Sequence, residues 1–246
     1  MILVVTGGSR GIGAAVCAMA AARGYDVVIN YASDRVAADN VACRVRSLGR
    51  QALTVRGDVA VEEDVAALFD AAAELGPLAG IVNNAATTGN TPGRLDEQSA
   101  ATVKRVTDVN LGGVFLCCRE AVRRMSTRYG GSGGVIVNIS STAARTGAAG
   151  EWVHYAATKA AVETLTVGLS HEVAREDIRV NAVAPGLVET GLHEAAGLPD
   201  RLERVAPTIP LGRAGQPEEV AEAVLWLLSP ASSYVTGSVL TVGGGR

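Results

Sequence analysis

Short runs of β-branched and aliphatic residues alternate along this chain with longer alanine-rich stretches whose apolar positions recur every three or four residues. The short runs predict strands at 2–6, 26–31, 51–56, 80–84, 135–140, 179–185 and 238–242. Several are apolar on both faces, as strands covered by helices on both sides are. The longer stretches predict helices at 13–23, 35–48, 61–75, 101–128, 152–175 and 217–228. Gly24, Gly49 and Gly76 stand where the first three helices should stop. Such alternation argues for a parallel sheet with right-handed crossovers and a helical layer on each face, a three-layer doubly wound α/β fold. The GGSGG stretch at 130–134 is too short to separate domains and reads as a loop, so a single domain is expected.

Composition narrows the function classes. The chain has 246 residues, 48% of them apolar and 19% charged, which suits one folded domain with a sizeable core. A net charge of −3 offers no support for a nucleic-acid or anionic-membrane partner. Cys17, Cys43, Cys117 and Cys118 form no C-x-x-C pair and read as buried free thiols in a reducing compartment. His154, His171 and His193 lack metal-ligand spacing, so no metal is expected. Neither a signal-peptide pattern nor an apolar run long enough to span a bilayer is present, and a cytoplasmic location is expected.

The candidate chemistry begins at residues 6–13, TGGSRGIG, between the first strand and the first helix. Gly7, Gly11 and Gly13 let the backbone turn tightly and approach a ligand, with Ser9, Arg10 and Ile12 between them. A helix N-terminus beyond such a turn offers free N–H groups and partial positive charge, which suits a pyrophosphate. Farther on, Tyr155 and Lys159 are spaced i, i+4 and share one helix face. A tyrosine with an ordinary pKa of about 10 is a poor base at neutral pH. A neighbouring ammonium favours the phenolate and brings proton transfer within reach.

The glycine stretch, Asn83-Asn84-Ala85, Asn110, Ser141, Tyr155-x-x-x-Lys159, Pro185-Gly186 and Tyr234-Val235-Thr236-Gly237 occur in one order along nearly the whole chain. This series resembles the short-chain dehydrogenase/reductase family, which implies a Rossmann fold binding a nicotinamide dinucleotide. By that resemblance Tyr155 exchanges a proton with a carbonyl or alcohol oxygen, and Lys159 lowers its pKa and holds the nicotinamide ribose. Ser141 hydrogen-bonds the substrate oxygen, and Asn110 fixes a water that links Lys159 to a proton relay. The family's serine-to-tyrosine spacing falls on Thr142, but GEWVHY carries one extra residue, which favours Ser141 and keeps Thr142 as the second candidate. Asp58 and Val59 would contact the adenine, Asn84 and Ala85 would lie along the cofactor, and Pro185, Gly186, Val188 and Thr190 would border the nicotinamide. Ala86 replaces the family's usual glycine in that asparagine stretch.

The end of the second strand sets the cofactor. An acidic residue there would bind a ribose 2′-hydroxyl and select NAD, but Asn30 occupies the position, followed by Tyr31. Arg10, Ser33 and Arg35 could receive a 2′-phosphate, so NADP(H) is favoured over NAD(H), with Asp34 as the counter-argument. A lid over the substrate is expected at about 187–214, carrying His193, Glu194, Arg201 and Arg204, with Trp152 and His154 also near the pocket. The resemblance implies a homotetramer formed through the last strand and the helices at 101–128 and 152–175. The leading expectation is an NADP(H)-dependent carbonyl reductase or alcohol dehydrogenase. A 3-oxoacyl-acyl-carrier-protein reductase is the alternative, with Arg119, Arg123, Arg124 and Arg128 as the patch for an acidic carrier. A non-catalytic nucleotide sensor is the alternative of another class.

Overall fold

The computed structural model describes residues 1–246, the side chain of His193 excepted. The first half alternates β1 (Ile2–Val5), α1 (Gly11–Ala22), β2 (Asp26–Tyr31), α2 (Arg35–Ser47), β3 (Ala52–Arg56), α3 (Glu62–Leu75) and β4 (Leu78–Asn83). It continues through α4 (Ala100–Thr107), α5 (Gly113–Met125), β5 (Gly134–Ile139), α6 (Ala143–Thr146), α7 (Val153–Val173) and β6 (Ile178–Pro185). Two short helices, α8 (Leu192–Ala195) and α9 (Arg201–Val205), precede α10 (Pro217–Leu228) and β7 (Val239–Val242).

Seven strands pair in parallel in the order β3-β2-β1-β4-β5-β6-β7. Val4 of β1 lies between Val28 of β2 and Ile81 of β4. Strand order therefore reverses between β1 and β4, where a crevice opens at the carboxyl ends of the strands.

Period-two alternation divides the core. Leu3, Val5, Val27 and Ile29 pack with Val16 of α1, Val45 of α2 and Val224 of α10. Ile2, Val4 and Val28 face the other way, against Phe69 of α3, Cys117 of α5 and Val162 of α7. Each fully buried aliphatic side chain contributes about 1.5–3 kcal/mol. Both faces of one strand gain this only when helices cover both, which is why the strands are apolar throughout.

The expected helix at 101–128 is broken. α4 ends at Thr107, a π-helical turn spans Asp108–Gly112, and α5 begins at Gly113. Two tertiary contacts favour the break. Asn110 turns inward to grip the backbone of Thr87. Gly113 passes so close to Val59 that a Cβ would sit 2.7 Å from its Cγ2. The hydrophobic period runs on through the turn, so the pattern alone reads as one helix. The expected helix at 152–175 is α7, with the stretch Ala174–Glu176 as a separate 3₁₀ turn.

Cys17, Cys117 and Cys118 are buried free thiols, whereas Cys43 is exposed on the outer side of α2, contrary to expectation. Burial pushes the Cys118 thiol up to about 12. Among the described residues no helix is long and apolar enough to cross a membrane. No group of three or more metal-type side chains comes together among them.

Candidate active site

A cleft of about 780 Å³ opens along the crevice. At its centre, the loop after β1 is sewn to the end of β4. Asn84 Nδ2 donates to the carbonyls of Thr6 and Gly7 at 3.0 and 2.9 Å. Thr6 Oγ1 accepts from the amides of Asn84 and Ala85 at 3.0 and 3.1 Å. Gly7 turns with φ +60°, and its α-carbon faces the Ala85 backbone, 2.9 Å from where a Cβ would stand. Gly7, Ser9, Arg10, Gly11 and Ile12 line the cleft, with Asn84 and Ala85 opposite. Gly13 does not reach it. A Cβ there would lie 2.4 Å from Gly7 O and 2.6 Å from Asn84 Nδ2, so this glycine permits close packing beneath the loop.

The side chain of Arg10, the N-cap of α1, makes no capping bond, and the first turn carries no acidic residue. The N–H groups at the start of α1 therefore lack a protein anion, an arrangement that fits a pyrophosphate.

One end of the cleft is formed by Asn30, Ala32, Ser33, Asp34, Asp58 and Val59. Tyr31 is not among them: strand alternation turns it into the core, 6% exposed. Asn30 acts mainly as a brace. Its Nδ2 donates to Gly57 O at 3.0 Å, and its Oδ1 accepts from Gly7 N at 3.3 Å. Asp34 caps α2, accepting from Ala37 N at 2.9 Å, so its carboxylate has work elsewhere. Arg105 of α4, which no sequence signal singles out, reaches the same end and pairs with Asp58 at 2.7 Å. Burial would raise the Asp58 carboxyl, but Arg105 and the Ala60 amide hold it below the usual range.

At the other end stand Ser141, Tyr155 and Lys159. Ser141 acts on the Tyr155 phenol, favouring its charged form. Ser140 turns away, donating to Lys159 O at 3.2 Å and Glu163 Oε1 at 2.8 Å. Thr142 also borders the cleft, with its amide donating to Pro185 O at 2.9 Å. Burial pushes the Tyr155 phenol up, partly opposed by Ser141 and the charge of Arg201. This differs from the expected lowering by Lys159, whose Nζ lies 5.6 Å from the Tyr155 ring centre and donates to Ile139 O at 2.7 Å. Burial lowers the Lys159 ammonium to about 8.

Asn110, fully buried, lies off the cleft wall. Its Oδ1 accepts from Thr87 N and its Nδ2 donates to Thr87 O, both at 2.8 Å. Nδ2 also lies 3.3 Å from Thr158 Oγ1, on the turn of α7 between Tyr155 and Lys159. His154 is off the wall as well, its Nε2 donating to Thr88 O at 3.0 Å. Pro185, Gly186, Val188 and Thr190 close the far side, and Trp152, Arg201 and Arg204 border the space beyond Tyr155. Glu194 is exposed, and the side chain of His193 lies outside the described residues.

A continuous crevice thus joins an open helix N-terminus to a serine–tyrosine–lysine cluster, half-buried at the serine and tyrosine, which fits a dinucleotide whose redox end meets an acid–base group. Such an arrangement belongs to the dinucleotide-dependent oxidoreductases. The family model described as enoyl-(acyl carrier protein) reductase matches residues 7–246, and the chain belongs to the short-chain dehydrogenase/reductase family. It is 48% identical over 246 residues to an uncharacterized oxidoreductase, YgfF, of Escherichia coli K12, covering 100% of this chain and 99% of the relative. Over 246 residues it is 44% identical to a cis-4-hydroxycyclohexanecarboxylate dehydrogenase of Sinomonas cyclohexanicum, covering 99% and 95% of the two chains. The solved structure of a 3-ketoacyl-(acyl-carrier-protein) reductase from Brucella melitensis, complexed with NADH, superposes with a TM-score of 0.91. That likeness has 32% identity and covers 100% of this chain and 97% of the other. The protein is an oxidoreductase of this family.

Proposed function

We propose that the protein interconverts a ketone and a secondary alcohol with NADP(H) as the redox partner. The observation that carries this reading is the meeting of Ser141, Tyr155 and Lys159 at the cleft end bordered by Val188 and Thr190. A nicotinamide bound there supplies hydride donor and acceptor chemistry. In reduction, Tyr155 Oη gives its proton to the carbonyl oxygen, and Ser141 Oγ hydrogen-bonds the same oxygen and fixes its position. Lys159 places a charge behind the phenol. Asn110 acts through the Thr87 backbone and Thr158, positioning the wall and the helix that carries Tyr155.

Arg10 and Ser33 face the end of the cleft where a 2′-phosphate would lie. Asp34 is engaged in its cap and Asp58 with Arg105, which weakens the case for a carboxylate that selects NAD. Titration of NADPH and NADH against the protein, followed by nicotinamide fluorescence, is expected to show much tighter NADPH binding, and tighter NADH binding would reject the preference. Tyr155→Phe is expected to retain cofactor affinity while turnover falls by about 10²–10⁴-fold. Unchanged turnover would reject the assigned acid, and wild-type cofactor binding without any turnover would favour the sensor.

The carrier-protein reading is weaker. Arg119 pairs with Glu62, Arg123 and Arg124 pair with Glu120, and Arg128 lies over the Tyr129 ring. Most of that patch is neutralised within the chain. The reading also includes a cytoplasmic homotetramer: the buried thiols suit a reducing compartment, and Phe115, Val167 and Tyr234 are exposed apolar groups on α5, α7 and the segment before β7.

A further inference from the structure

Arg201 is a charged group at the substrate end of the cleft that the proton transfer does not use. At the start of α9 its side chain is 11% exposed and borders the substrate end. Nε and Nη2 both donate to Glu151 Oε2, at 3.1 and 2.7 Å. The guanidinium lies over the Trp152 ring, 5.0 Å from its centre. Glu151 Oε1 also faces Arg204 Nη2 at 3.5 Å. Two guanidinium groups share one carboxylate, so the Glu151–Arg201–Arg204 cluster keeps a net positive charge.

The orientation matters as much as the charge. Glu151 takes the side-on edge of Arg201, Nε with Nη2. The end-on pair, Nη1 with Nη2, remains to match the two oxygens of a second carboxylate. Two bonds to Glu151 and the Trp152 ring beneath it hold the guanidinium, so little freedom is left to lose on binding. Arg201 and Tyr155 line the same cleft, and the Arg201 charge opposes the rise of the Tyr155 phenol. Leu192, Ala195 and Val205 supply an apolar wall beside them.

On the oxidoreductase reading above, we propose that the substrate is an oxo- or hydroxycarboxylate with an apolar carbon frame, its carboxylate gripped end-on by Arg201. Glu151 and Arg204 are positioning residues that aim the guanidinium. The carbonyl end goes to Ser141 and Tyr155. It is reduced to the alcohol by a proton from Tyr155 and a hydride from the reduced dinucleotide, which is oxidised. A neutral ketone leaves the buried guanidinium without its second partner, so charge discriminates between substrates.

The test compares kcat/KM, with NADPH, for 3-oxobutanoate, 4-oxopentanoate, 5-oxohexanoate and 6-oxoheptanoate against the methyl ester of each. At least one acid is expected to exceed its ester by about tenfold or more. Arg201→Met should erase that ratio, chiefly through KM, and Arg201→Lys should restore part of it. A guanidinium that merely ties α9 down would slow acid and ester alike; an unmoved ratio in Arg201→Met, or esters that match their acids in the wild type, overturns the proposal. A second readout needs no turnover. In a Trp226→Phe variant, which leaves Trp152 as the one tryptophan, hexanoate should change the fluorescence of the NADP⁺ complex and hexanamide should not. Equal responses, or none, overturn the carboxylate site. Failure of NADPH and NADH to bind would instead sink the oxidoreductase reading beneath it.

Discussion

Burial moves Tyr155 and Lys159 in opposite directions. It raises the phenol and lowers the ammonium to about 8, because each loses water around its charged form. The phenol therefore stays protonated through the neutral range, the form that reduction needs. On the proposed mechanism, kcat/KM for reduction is expected to stay level up to about pH 8 and fall above it as Lys159 loses its charge. Oxidation requires the deprotonated phenol to receive a proton, so its kcat/KM should climb over the same range. Profiles measured in both directions check the sign, and an oxidation rate that declines from pH 7 to 9 would contradict the assignment of Tyr155. Spacing alone leaves Ser141 and Thr142 open, and Ser141 is the one that acts on the Tyr155 phenol.

Among the elements, the turn between β1 and α1 depends on contacts from outside itself. Gly13 is surrounded by Gly7 O, Asn84 Nδ2 and the Gly8 backbone. Gly13→Ala must push apart a loop fixed by the Asn84 bonds, at a cost of about 1–3 kcal/mol. For a chain of this size, the melting temperature should fall by about 2–4 °C per kcal/mol. Cofactor affinity should fall with it, because the same displacement moves the amides at the start of α1. A variant with wild-type melting temperature and cofactor affinity would show that the loop can relax. The π-helical turn at Asp108–Gly112 belongs to this scale too. It places Asn110 where it can hold Thr87, and its cause lies in Val59 and Thr87, residues far from it in sequence.

For the whole molecule, the three layers leave exposed apolar groups on the helices and the C-terminal segment. Phe115 is 52% exposed on α5, and Tyr234 is fully exposed before β7. On the tetramer reading, light scattering after gel filtration should give about four times the chain mass of 25.1 kDa. Replacement of Phe115 and Tyr234 by charged residues should shift that mass downward. A wild-type protein that elutes at one chain mass would reject the tetramer.

The sequence by itself determined the architecture and many of the residues that line the cleft. Seven apolar runs between amphipathic stretches dictate a doubly wound sheet, because local periodicity and two-sided burial are written into consecutive residues. The glycine turn, Tyr155 and Lys159 were legible for the same reason: their spacing is local. Only the tertiary structure decided which neighbours share the work. Tyr31 goes to the core and Gly13 beneath the loop, because strand phase and close packing assign sides that composition does not. Arg105 comes to Asp58, and Arg201 to Glu151 and Trp152, through folding that joins residues about 50 positions apart. The raised phenol is likewise a property of burial in three dimensions, which an i, i+4 spacing cannot report.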